Sequence, residues 1–150
     1  MNDIMYVADA FLKVAKKNGK KLNVLQLNLL CVIAFGWCAQ RLKRKLFRNE
    51  IHAGYHYPEI HDLEDLAGDF SRTIPLREVK AEEPAHVAED EWNLICDVYM
   101  KYGKCSAKEL ISVTTKDGTP WKVARILEIE GRIPASLFVE YAKALEAGIA

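Results

Sequence analysis

Apolar positions are densest between Asn23 and Lys45, in NVLQLNLLCVIAFGWCAQRLKRK, where the eleven residues from Leu29 to Ala39 carry no charge and only Gln-free, Asn-free side chains. A helix on the surface of a domain is apolar along one stripe, so a helix apolar all round is expected to be buried on most sides. The stretch therefore predicts a central helix, with Asn23 as its N-cap. A run of that length is shorter than the roughly 20 residues a bilayer requires. The core of a small domain is the expected location, and no membrane partner is expected. The run turns basic at Arg41, Lys43, Arg44 and Lys45. Cations there interact favourably with a helix C-terminus, which reads as a solvated, charged end.

Ahead of it, Ile4, Val7, Ala8, Phe11, Leu12, Val14 and Ala15 recur at helical spacing. Asn2 or Asp3 can cap that helix and Asn18-Gly19 can stop it. Its short linker predicts antiparallel packing on the central helix. From Leu46 to Tyr57 the pattern changes. Arg48-Asn49-Glu50 reads as a turn, and Ile51, Ala53 and Tyr55 alternate with His52, Gly54 and His56, predicting one strand of a small hairpin. Pro58 is expected to open a short helix over 59–67, stopped by Gly68. Residues 70–88 read as a connecting arm with one brief edge strand.

The second half carries repeated helix signals. Acidic Glu89, Asp90 and Glu91 open a helix running through Trp92, Ile95, Cys96 and Tyr99 to Tyr102, closed by Gly103. Ser106 with Glu109 forms a capping-box pattern for a helix to about Thr114. After a turn at Lys116-Asp117-Gly118, Thr119-Pro120 opens another, with Trp121, Ala124 and Leu127 on its inner face. Pro134 opens the last, which docks through Leu137, Phe138, Tyr141 and Leu145 and frays at Gly148 to Ala150. The pattern predicts a mainly α fold: one multi-helix domain over 1–150 around a buried central helix, with a small antiparallel β-hairpin in the middle of the chain.

Composition narrows the function classes. The chain has 150 residues, 50% hydrophobic and 28% charged, the profile of one globular domain. A domain of this size buries roughly 68–70% of its unfolded surface, so its core needs neither disulfide nor metal. Lys plus Arg and Asp plus Glu number 21 each. A dedicated nucleic-acid binder is usually strongly basic, so nucleic acid is not the expected partner. Near-zero net charge also favours association, self-association into a homo-oligomer included. Cys31, Cys38, Cys96 and Cys105 form no CxxC pair and read as buried thiols. The N-terminal MNDIMYVADAFLKVAKK has no basic segment followed by a continuous apolar run. No signal peptide is expected, and a cytoplasmic location is.

Few residues invite chemistry. His52, His56 and His61 raise a metal hypothesis. In the sequence no cysteine or acidic cluster accompanies them, and their spacing crosses from a predicted strand into a predicted helix, so no metal is expected. Cys105 precedes a helix N-terminus and, with one of the histidines, is the best available dyad. No Gly-rich phosphate loop is present. Neither catalysis nor a cofactor is expected. Ser106 to Leu127 matches a helix-turn-helix in outline, but its second helix offers only Lys122 and Arg125 as base-reading side chains. Structural packing is the favoured reading of that unit, and a DNA-binding regulator is the alternative function.

The run YMKYGKCSAKELISVTTKDGTPWKVA, from Tyr99 to Ala124, resembles without gaps the signature of the Panacea antitoxin domain of toxin-antitoxin operons and prophage-associated genes. Tyr102, Gly103, Ser106, Ala107, Glu109, Leu110, Pro120, Trp121 and Ala124 carry the likeness. Leu22, Leu25, Leu27, Leu30, Ala34, Gly36 and Trp37 extend it through the central helix, and Pro134 and Tyr141 to the end of the chain. The chain departs from the family pattern at Leu29 and Phe35, where a lysine and a glutamine are usual, and at Gly54-Tyr55-His56-Tyr57-Pro58, which keeps only the proline of Trp-x-x-Gly-Pro. The resemblance implies a protein that neutralises a cognate protein toxin by direct binding, with one branch of the family delivering its toxin to a cellular protease. Tyr55, His56 and Tyr57 on an exposed loop, extended by Ile60, are the expected partner-binding residues, because aromatic side chains on such loops anchor interfaces. The competing reading has both tyrosines covering the inner face of the hairpin, and Trp37 and Trp121 are expected in the core.

Overall fold

A computed structural model describes residues 1–64 and 86–147. The predicted edge strand of the connecting arm, the Gly68 stop and the frayed C-terminus lie outside the described residues. Among those described there are seven helices and one small sheet: α1 (Ile4–Lys17), α2 (Val24–Arg41), β1 (His52–Ala53), β2 (Pro58–Glu59), α3 (His61–Glu64), α4 (Glu89–Tyr102), α5 (Ala107–Thr115), α6 (Pro120–Ile126) and α7 (Ala135–Glu146). The fold is mainly helical, with the two-stranded antiparallel sheet in the middle of the chain.

α2 is the axis. Asn23 Oδ1 accepts from the Gln26 amide at 2.7 Å and Gln26 Oε1 from the Asn23 amide at 3.0 Å, closing a capping box. Leu27, Leu29, Leu30, Cys31 and Ala34 have no exposed surface, and α1, α4, α5 and α7 all pack on this helix. Its 18 residues are long and apolar enough to cross a membrane by length and composition, and 67% of them are buried inside the protein. The helix begins directly after the predicted Asn23 cap, and Val24, Leu27 and Asn28 ahead of the uncharged run are buried as well. Leu29 and Phe35, the two departures from the family pattern, are core residues. Phe35 meets Phe47 at 4.9 Å and Phe138 at 4.8 Å between ring centroids.

The basic end resolves differently from the simple dipole expectation. The helix stops at Arg41, and Lys43 adopts a left-handed φ of 58°, so Arg44 and Lys45 lie beyond it. Arg41 reaches Asp97 at 2.6 Å, and Arg44 bridges Asp90 at 2.9 Å and Glu91 at 3.3 Å, tying this end to α4. Glu91 is itself buried and accepts from the Ala88 amide and from Asn2 Nδ2. One carboxylate thus joins the N-terminus, the end of α2 and the start of α4.

The caps at Asp3, Ser106 and Thr119 form as the sequence predicts. Gly103 closes α4 for a different reason from the expected left-handed stop. Its backbone is right-handed helical, and a Cβ there would stand 2.6 Å from the Tyr99 ring. On α6, Ala124 is buried but Leu127 is 60% exposed, because the helix ends at Ile126 and Leu127 is already its C-cap.

Candidate functional site

The hairpin differs from its sequence reading in register. Arg48-Asn49-Glu50 is not its turn: this segment lies against the N-terminus, where the Arg48 amide donates to Asn2 O and Asn49 Oδ1 accepts from the Ile4 amide. The two strands pair His52 with Glu59 and Ala53 with Pro58, leaving Gly54 to Tyr57 as the connecting loop. Pro58 therefore sits in a strand instead of opening a helix, and α3 begins only at His61. Proline fits a strand where its missing N–H faces no partner, as on this short sheet edge. On its other side β1 meets the segment before α7, through Ala53 N to Gly131 O and Ile133 N to Ile51 O, both 2.7 Å.

The loop is held from beneath. Asn28, buried in α2, donates from Nδ2 to Pro58 O and accepts at Oδ1 from the Ile60 amide, both at 2.9 Å. A carboxamide inside an apolar helix must find partners, and here it finds the backbone of β2. From α6, Trp121 Nε1 donates to Gly54 O at 2.7 Å. Gly54 is required by close approach, since a Cβ there would meet the Glu59 carboxyl and Tyr57 O at 2.6 Å.

On this fixed base Tyr55 is 81% exposed, with the Arg125 guanidinium 5.0 Å from its ring centroid, within cation–π range. His56 is exposed beside it, and Tyr57 is half-buried, with its hydroxyl pKa raised first by burial and then by nearby Glu59. Ile60 is fully buried, which removes it from the surface group expected from the sequence: its amide is bonded to Asn28 and its side chain joins the core. The alternative for the tyrosines holds in part for Tyr57 and not for Tyr55. Leu127, expected on the inner face of its helix, is exposed together with Ile126, both adjacent to Arg125 in the chain. A cleft of about 580 Å³ lies alongside, lined by residues including His52, Tyr55, His56, Glu59, His61 and Arg125.

The other sequence candidates separate. Cys31 and Cys38 are buried, the first with its thiol pKa strongly raised and the second pushed up to about 11, in both cases chiefly by burial. Cys105 is partly buried, and burial followed by the Glu109 charge raises its pKa as well, the opposite of what a nucleophilic thiol requires. The predicted helix-turn-helix unit is α5 and α6, with α6 only seven residues long and its tryptophan committed to the hairpin. Trp37 and Trp121 are both half-buried, with Arg41 and Lys101 at 5.6 and 5.8 Å from the Trp37 ring centroid. No family model, curated protein or solved structure matches the chain.

Proposed function

We propose that the chain is an antitoxin of the Panacea type, which neutralises a cognate protein toxin in the cytoplasm by direct binding through the β1–β2 loop. The observation that carries this reading is Tyr55, 81% exposed on a loop whose backbone is fixed by α2 and α6. A large aromatic ring held in water by a pre-ordered loop loses little entropy when a partner covers it, which is how interface anchors contribute affinity. Arg125, Ile126 and Leu127 supply a cation and two exposed apolar side chains next to it in the chain from α6. Tyr, Arg and apolar groups at the centre of a patch are the composition of binding surfaces.

The test is co-expression with the product of the adjacent gene. The neighbour alone arrests growth, co-expression restores it, and the two proteins co-purify. A neighbour harmless on its own removes the proposal. Tyr55→Ala restores growth at least about tenfold less efficiently, the loss of about 1.4 kcal/mol of binding, while the helical circular dichroism stays unchanged. If the antitoxin acts as an adaptor, the toxin's half-life falls on co-expression and recovers in a protease-deficient host. A DNA-binding regulator would instead shift its own promoter DNA in a salt-dependent manner, and would do so equally well with Tyr55→Ala.

A further inference from the structure

Three of the chain's four histidines, His52, His56 and His61, line the cleft beside the hairpin. The histidine spacing alone argued against a metal, but Glu59 and Glu64 stand two positions before and three positions after His61, and the fold brings both to it. Among the described residues, ligand atoms of Glu59, His61 and Glu64 lie within 4.8 Å of one another. Glu59 stands on β2 and His61 opens α3, with buried Ile60 between them pointing inward. Glu64 is three positions after His61 on the helix, the spacing that puts two side chains on one face.

One of the distances suits coordination directly. His61 Nε2 is 3.4 Å from Glu59 Oε1. Tetrahedral zinc binds nitrogen and oxygen at about 2.0–2.1 Å, which sets neighbouring donors roughly 3.3–3.4 Å apart. This pair already spans one edge of such a tetrahedron. Glu64 contributes a second carboxylate, and its Oε1 is buried. Glu59 and Glu64 thus bring two carboxylates to one imidazole, a donor set whose charge a divalent cation matches.

The imidazole orientation is an independent observation. The His61 ring stacks on His52 with centroids 4.1 Å apart and planes 19° from parallel. His52 Nε2 is in turn 3.2 Å from Glu50 Oε2. Stacking on His52 restricts rotation of the His61 ring. We infer that Glu59, His61 and Glu64 bind a divalent first-row transition cation, zinc by the mixed imidazole and carboxylate donor set, with the remaining position open to the cleft. The ion links β2 to α3 at the base of the Tyr55 loop. The inference does not depend on the antitoxin reading.

The experiment is calorimetric titration of Zn²⁺ into EDTA-treated protein carrying Cys96→Ser and Cys105→Ser, which removes the two partly exposed thiols as competing ligands. One ion binds per chain, and Zn²⁺ raises the melting temperature reversibly. His61→Ala and Glu59→Gln each weaken binding by more than the roughly 10–100-fold that loss of a supporting outer partner costs, while His56→Ala leaves it unchanged. Because a variant could lose its fold, the His61 ring ¹⁵N resonances are followed during titration of the protein with both histidine and glutamates intact, and they shift with one-to-one saturation. No saturable binding, binding unaltered by His61→Ala, or shifts confined to His56 or His86 overturns the inference.

Discussion

Two residues five positions apart at the hairpin behave in opposite ways, and burial is the reason. Tyr55 stands in water and Ile60 has no exposed surface. Ile60→Ala is expected to cost about 2–5 kcal/mol, the range for emptying a buried aliphatic site, whereas Tyr55→Ala loses at most the roughly 0.5–1 kcal/mol of an exposed cation–π contact with Arg125. Urea denaturation of the two variants checks the contrast; equal losses would mean that Tyr55 is structural. Leu29→Lys places an ammonium where no surface is exposed. It is expected to abolish cooperative unfolding, not merely to alter a contact surface, and a folded Leu29→Lys protein by circular dichroism would contradict the packing. Which side of a short loop a tyrosine faces was not legible in the sequence, because alternation over Ile51 to Tyr55 fits either register until the partner strand is known. Asn28 was legible in principle. A carboxamide directly before an apolar run needs a buried partner, and that requirement pointed to a backbone docked on α2.

Most helices were predicted well because they carry their own start signals; α3 was not, since the Pro58 signal belongs to β2. Asn23 with Gln26 and Ser106 with Glu109 declare their caps within four residues, and both boxes form. The hairpin was read less well, since its pairing is set by Asn28 and Trp121 from distant helices. Asn28→Ala removes its bonds to Pro58 of β2 and to the Ile60 amide just after it and leaves buried backbone groups without partners, at about 1–3 kcal/mol each. Hydrogen exchange at the Ile60 amide is expected to accelerate in that variant while α5 amides keep their protection. The α5 cap also sets an acid limit. Hydrogen bonds from the Ser106 amide and hydroxyl hold the Glu109 pKa below its ordinary value, and its hydrogen bond to Arg44 holds Asp90 low in the same way. A carboxylate with a depressed native pKa adds stability above its unfolded pKa, about 4, and loses it as pH falls through the native value. Melting temperature should therefore drop on acidification below that point, and Glu109→Gln should lessen the drop; an unchanged acid profile would show that the box contributes nothing.

Across the whole molecule, Glu91 gathers Asn2, the Ala88 amide and Arg44 into one buried junction. Removing one partner of a buried charge costs more than the pair contributes net, about 3–5 kcal/mol in general, discounted here because Arg44 is partly exposed. Glu91→Ala should thus destabilise more than Asp97→Ala, whose partner Arg41 is at the surface; the reverse order in chemical denaturation would remove Glu91 from its linking role. In the sequence Glu91 reads only as a residue at the favourable end of a helix, because nothing local shows that residues 2 and 44 arrive beside it. The indole bond from Trp121 to Gly54 has an optical consequence. In a Trp37→Phe, Trp92→Phe protein, Trp121 is the sole tryptophan, and its emission reports whether the hairpin is seated on α6. A red shift on adding a partner or an ion would mean the indole has been released into water; a steady spectrum would mean that the loop receives its ligand without leaving its base.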